Sequence, residues 1–92
     1  RKTEVKTRLS TAAKLMSEPL RVVTEFHGKI VRPLAFQRAG RRYDVEKVNL
    51  IYRKRNGSRW LWCFAVSDNA NAYLLVFNPD DLTWQLESVS CE

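Results

Sequence analysis

Residues 59–66 read Arg59-Trp60-Leu61-Trp62-Cys63-Phe64-Ala65-Val66, apolar in both phases of the alternation. Successive strand side chains point to opposite faces, so the run needs cover on two sides. That is the signature expected of the central strand in a small antiparallel sheet. Turn signals lie on either side of it. Asn56-Gly57 precedes it, the dipeptide that type I′ hairpins favour. Asp68-Asn69-Ala70-Asn71 and Asn78-Pro79-Asp80-Asp81 follow, setting strands over 72–77 and 82–89. Upstream, Ala39-Gly40 and His27-Gly28-Lys29 bound strands over 21–26, 30–37 and 42–54. Pro33 has no N–H to donate, which puts its strand at an edge or beside a bulge.

These turns predict a register. A two-residue Asn56-Gly57 loop sets Arg55 opposite Ser58, Trp60 opposite Arg53 and Tyr52 opposite Leu61. The loop at 68–71 sets Phe64 opposite Leu75 and Trp62 opposite Phe77. A Pro79-Asp80 loop sets Leu75 opposite Trp84. Opposed residues share a face. One face then collects Ile51, Trp60, Trp62, Phe64, Val66, Tyr73, Leu75, Phe77, Leu82, Trp84 and Leu86, joined by Leu34, Phe36, Tyr43 and Val45. The other is smaller and aliphatic: Val48, Leu50, Tyr52, Leu61, Cys63, Ala65, Leu74 and Val76. Unbroken register would also turn Lys47 and Asn49 onto the aromatic face. A bulge near Glu46-Lys47 removes that conflict.

Val5, Leu9, Ala12 and Met16 recur at four, three and four residues, one face of a helix over residues 2–16 that ends before Pro19. It would cover the aliphatic face. The expectation is an α+β fold, an N-terminal amphipathic helix on a curved, barrel-like antiparallel meander of five or six strands. Residues 1–20 would be helix and linker, and 21–92 the β part of a single domain.

The chain is 92 residues long and starts with Arg1 and not Met, which reads as a trimmed piece of something longer. It has no long apolar run and no visible signal peptide, so no membrane partner is expected. Cys63 and Cys91 read as free thiols in a reducing compartment, the cytoplasm. One His and two Cys do not make a zinc site, and no metal or cofactor is expected. Catalytic signatures are missing: His27 stands alone in a turn, Asp80-Asp81 belong to a turn, and three glycines form no phosphate loop. The chain reads as a non-enzyme.

Charge is the informative property. All sixteen Lys and Arg lie within residues 1–59 with five of the ten acids, a net +11; residues 60–92 hold the other five acids and no base, a net −5. Such asymmetry suggests a basic surface for an anionic partner. The basic set is Arg38, Arg41 and Arg42 at one hairpin turn, and Arg53, Lys54, Arg55 and Arg59 at another. These turns lie at opposite ends of one strand, so they need not form one patch. Arg and Lys at turns can meet phosphates, or simply be solvated. The interleaved rings at 60 and 62 can be core or can stack on bases. Trp60 is the one nearest the sheet margin, with a cation–π pair to Arg53 as the modest alternative. Tyr43, Trp60, Trp62 and Trp84 could in principle frame an aromatic cage for a methylated cation.

The run Arg-Pro-Leu-Ala-Phe (32–36), Gly-Arg-Arg-Tyr-Asp-Val (40–45), Phe-Ala-Val (64–66), Tyr-Leu-Leu-Val-Phe (73–77) and Trp-Gln-Leu-Glu-Ser-Val (84–89) resembles small bacterial β-rich domains of unknown function. The resemblance implies structural roles for Phe36, Gly40, Tyr43, Val45, Trp84 and Leu86, and brings no activity. The functional expectation is a nucleic-acid-binding or nucleic-acid-associated module using Arg38, Arg41, Arg42, Arg53, Lys54, Arg55, Arg59 and Trp60. The alternative is a protein-interaction or homo-oligomerisation module using the N-terminal helix or an open strand edge.

Overall fold

The computed structural model describes residues 13–91. They form seven strands: β1 Ala13–His27, β2 Ile30–Arg38, β3 Arg41–Asp44, β4 Lys47–Asn56, β5 Arg59–Ser67, β6 Asn71–Asn78 and β7 Thr83–Cys91. Every neighbouring pair is antiparallel, in the order β3-β2-β1-β7-β6-β5-β4. The described residues are all-β. They contain no helix long and apolar enough to cross a membrane.

Two segments change partner part-way. β1 pairs with β7 through Ala13–Leu20 and with β2 from Arg21 to His27. The single strand expected over 42–54 is broken at Val45-Glu46, and its halves part: β3 pairs with β2, β4 with β5. At the break the Val45 N–H donates to the Leu34 carbonyl (2.9 Å) and the Glu46 N–H to the Ser67 carbonyl (3.0 Å), so no backbone donor is lost. Strands that bend from one sheet into another make the corners of orthogonal sandwiches. Here they fold one sheet into two leaves. The long leaf supplies Phe64, Val66, Tyr73, Leu75, Phe77, Trp84 and Leu86 to the core, and the short leaf Phe36 with Tyr43 packed beside it. Phe36 joins the leaves, stacked on Tyr43 at 5.2 Å and edge-on to Tyr73 at 4.9 Å.

The α+β expectation is overturned. Ala13–Met16, the end of the expected helix, are strand, and Ala13, Lys14 and Leu15 pair with the tail of β7; residues 2–12 of that expectation lie outside the described residues. The period-2 burial that follows explains why. Glu18, Leu20, Val22 and Thr24 are half-buried, whereas Ser17, Pro19, Arg21 and Val23 are exposed. The flank of β7 offers a row of ladder partners, and a weak 3.6-residue stripe does not outweigh them. The same strand displaces β5 from the centre. Because β1 inserts between β2 and β7, β5 sits next to the end strand β4. It still buries both faces, with Phe64 and Val66 inward and Leu61 and Cys63 on the other side.

The register at 68–71 is as expected, Trp62 opposite Phe77 and Phe64 opposite Leu75. The two neighbouring hairpins slide by two residues. Asn56 pairs with Arg59 around a Gly57-Ser58 loop, with Gly57 at φ 68°, and Asn78 pairs with Thr83. A slide of two keeps every side chain on its face. Trp62, Phe77 and Trp84 therefore form one row, while Leu75 meets Leu86 and not Trp84. The phase break in β4 falls at Asn49, not at Glu46-Lys47. It turns Val48 onto the aromatic core and lets the Asn49 amide donate to the Ser67 hydroxyl at 3.1 Å. A second bulge at Leu34 in β2 turns that leucine outward, 40% exposed, while Pro33 and Phe36 are buried. Leu34 is thus removed from the aromatic face, and so is Leu82, which lies in the loop before β7 and is exposed.

Candidate nucleic-acid interface

The β4–β5 hairpin carries the core face past the core. Its register sets Ile51 opposite Phe64, then Arg53 opposite Trp62, then Arg55 opposite Trp60. Opposed side chains on one face lie within contact of each other. The Arg53 guanidinium stands 4.8 Å from the centre of the Trp60 ring and 5.5 Å from that of Trp62, and the Arg55 guanidinium 5.4 Å from Trp60. Cations and rings alternate as a ladder: Arg55, Trp60, Arg53, Trp62. Both rings are open to solvent, Trp60 44% and Trp62 38% exposed. Among the described residues no carboxylate pairs with Arg53, Arg55 or Arg59.

The ladder is open because the short leaf stops short of it. β3 pairs with β2 only from Ala35 to Arg38, so Ile30–Pro33 have a ladder partner on the β1 side alone. The start of β2 and the inner face of β4 and β5 then face each other across a hollow of about 200 Å³, lined by Lys29, Ile30, Val31, Ile51, Trp62 and Phe64.

The structure divides the basic residues singled out in the sequence. Arg53, Arg55 and Trp60 come together. Lys54 lies on the opposite face of the same strand, bound to Glu87 at 2.6 Å. That hydrogen bond raises the Lys54 pKa, against the lowering effect of burial. Arg59 begins β5 on that opposite face too, above a small hollow shared with Leu61, Val76 and Asp81. At the β2–β3 hairpin, Arg38 is paired with Glu18 (3.3 Å) and Arg42 with Asp44 (2.9 Å), and Arg41 lies 5.8 Å from the Tyr43 ring. The two basic turns are separate features, and carboxylates hold most of the cations at the first. The four-ring cage does not form. Trp84 is buried against Phe64 and Phe77, and Tyr43 is stacked on Phe36.

Sequence reasoning weighed Trp62 between core and base stacking and left it out of the binding set, and it did not single out Lys29. Trp62 has the alternation of a core residue, and only the shortness of the facing leaf exposes it. Lys29 had a findable signal. In an antiparallel sheet the β1–β2 and β4–β5 turns fall at the same end, which brings Lys29 towards the hairpin tip.

No protein-family model, no curated protein and no solved structure matches the chain.

Proposed function

We propose that the chain is a small non-enzymatic module that binds nucleic acid through the inner face of the β4–β5 hairpin. The observation that carries this reading is the exposed ladder of two indoles and two carboxylate-free guanidinium groups. Rings that stack on bases beside cations that meet phosphates are the two parts a nucleic-acid groove needs. The net +6 of the chain adds long-range attraction for a polyanion. Two cysteines without a disulfide suit a reducing compartment, and we place the activity in the cytoplasm.

The test is binding of a labelled oligonucleotide at two salt concentrations. Each neutralised phosphate contributes a log–log salt slope of about −0.7 to −0.9. Wild type should show steep salt dependence, and the double substitution Arg53→Ala with Arg55→Ala should lower the slope by about 1.5. No binding at low salt, or salt-insensitive binding, rejects the proposal.

A second reading, docking of another protein along the free edge of β4, is favoured by the exposure of Leu50, Ile51 and Tyr52. A salt-insensitive dimer in light scattering would support the second reading over the first.

A further inference from the structure

We infer that the hairpin takes an unpaired base, which enters between Trp60 and Trp62 in place of the Arg53 guanidinium; this rests on the nucleic-acid reading above. Residues two apart on a strand lie about 6.6 Å apart. That is close to twice the roughly 3.4 Å rise between stacked bases. The slot between the two indoles therefore suits one planar group with a ring on each side. In this structure a planar group is already there: the Arg53 guanidinium lies 4.8 Å and 5.5 Å from the two ring centres. Only the rings hold it, since among the described residues no carboxylate anchors it. An exposed cation–π contact is weak, and a base offers each indole a larger face.

Displacement leaves Arg53 beside the incoming nucleotide on a long flexible stem, where it can meet the phosphate. Arg55 stays on the outer side of Trp60, and Lys29 stands across the hollow. The cation thus occupies the slot between the rings in the free protein and changes role on binding. The same geometry selects the strand form. Bases in a duplex are stacked on one another and offer no free face, so a duplex can reach the cations only. Single-stranded nucleic acid is the ligand class.

The experiment compares a labelled thymidine dodecamer with a blunt twelve-base-pair duplex, by anisotropy and by intrinsic tryptophan fluorescence, at one salt concentration. The proteins are wild type, Trp62→Ala, Trp62→Phe and Arg53→Met, each checked for an unchanged melting transition. Wild type should bind the single strand at least about tenfold more tightly and show quenching by it. Trp62→Ala should lose about tenfold or more, in the range of one stacked base. Trp62→Phe should keep most of the affinity. Arg53→Met should retain quenching and lose about 0.7 from the salt slope. Equal affinity for duplex and single strand overturns base insertion and leaves the nucleic-acid reading standing. So does a neutral Trp62→Ala, whatever the strand preference. Binding to neither probe removes both.

Discussion

Substituting Phe36 and Leu34 separately tests how the two leaves are joined. Both residues lie in β2, two positions apart, and an unbroken strand would aim them at one face. The bulge at Leu34 separates them. Phe36 is 2% exposed and touches rings from its own leaf and from the other; Leu34 is 40% exposed. Truncating a buried Phe costs about 3–5 kcal/mol, and each lost ring pair adds about 0.5–1.5 kcal/mol beyond area. Phe36→Ala should therefore destabilise by about 4–5 kcal/mol, most of what a domain of this size has to lose. In melting terms that is a fall of at least about 15 °C. Leu34→Ala keeps the backbone and removes a side chain already half in water, at a cost below about 1 kcal/mol. Urea unfolding followed by tryptophan fluorescence measures both, with equal m-values showing that the same surface unfolds. Similar losses for the two variants, or a loss below about 1.5 kcal/mol for Phe36→Ala, would refute the bulge and the packing of the leaves.

Three further outcomes follow from the geometry. Lys54→Ala breaks a partly exposed pair with Glu87 and should cost about 0.5 kcal/mol. Because Lys54 points from the opposite face, a binding titration should leave its affinity near that of the wild type, in contrast to Arg53→Ala. Burial pushes the Cys63 thiol pKa up, and Cys91 is exposed. A thiol-specific reagent at pH 7.5 should therefore modify Cys91 quickly and Cys63 only on unfolding, which mass spectrometry reads directly. Burial tends to raise the pKa of Asp68, but the N–H groups of Asn71 and Ala70 (both 2.8 Å) and the Tyr73 hydroxyl (3.2 Å) donate to its carboxylate and hold it below the ordinary range. A depressed folded-state value gives stability that is full above the ordinary carboxylate pKa, about 3.9, and is lost as pH falls through the lower value. Asp68→Asn should flatten the acid limb of a melting-temperature profile below about pH 4.

The sequence made the faces legible, and the limits of that reading have physical causes. Alternation in 59–66 and the loop at 68–71 placed Trp62, Phe64, Leu75 and Phe77 together, and slides of two residues elsewhere left the faces intact. Bulges were harder. A polar residue out of phase announced one in β4, but Asn49 and Glu46-Lys47 signal it equally well until the Asn49–Ser67 hydrogen bond is seen. In β2 the signal was Pro33, which cannot donate to a ladder and marked its strand as an edge or a bulged one; the bulge is at the next residue, Leu34, whose apolar side chain gave no hint that it would turn outward. The N-terminal strand was misread because spacings of four, three and four compete with a period-2 signal that becomes plain only from Glu18 onward. For the candidate site, charge and aromatic interleaving marked Arg53, Arg55 and Trp60. They did not show which cations carboxylates would hold. Glu18, Asp44 and Glu87 lie 20, 2 and 33 residues from their partners, and only folding chooses among them.

The binding face can be read most directly from the three indole N–H resonances in a proton–nitrogen NMR titration with a thymidine dodecamer. Trp60 and Trp62 should shift together with the side chains of Arg53 and Arg55, while buried Trp84 and the amides of Arg38, Arg41 and Arg42 stay in place. Shifts confined to the β2–β3 hairpin, or no shift at low salt, would contradict it.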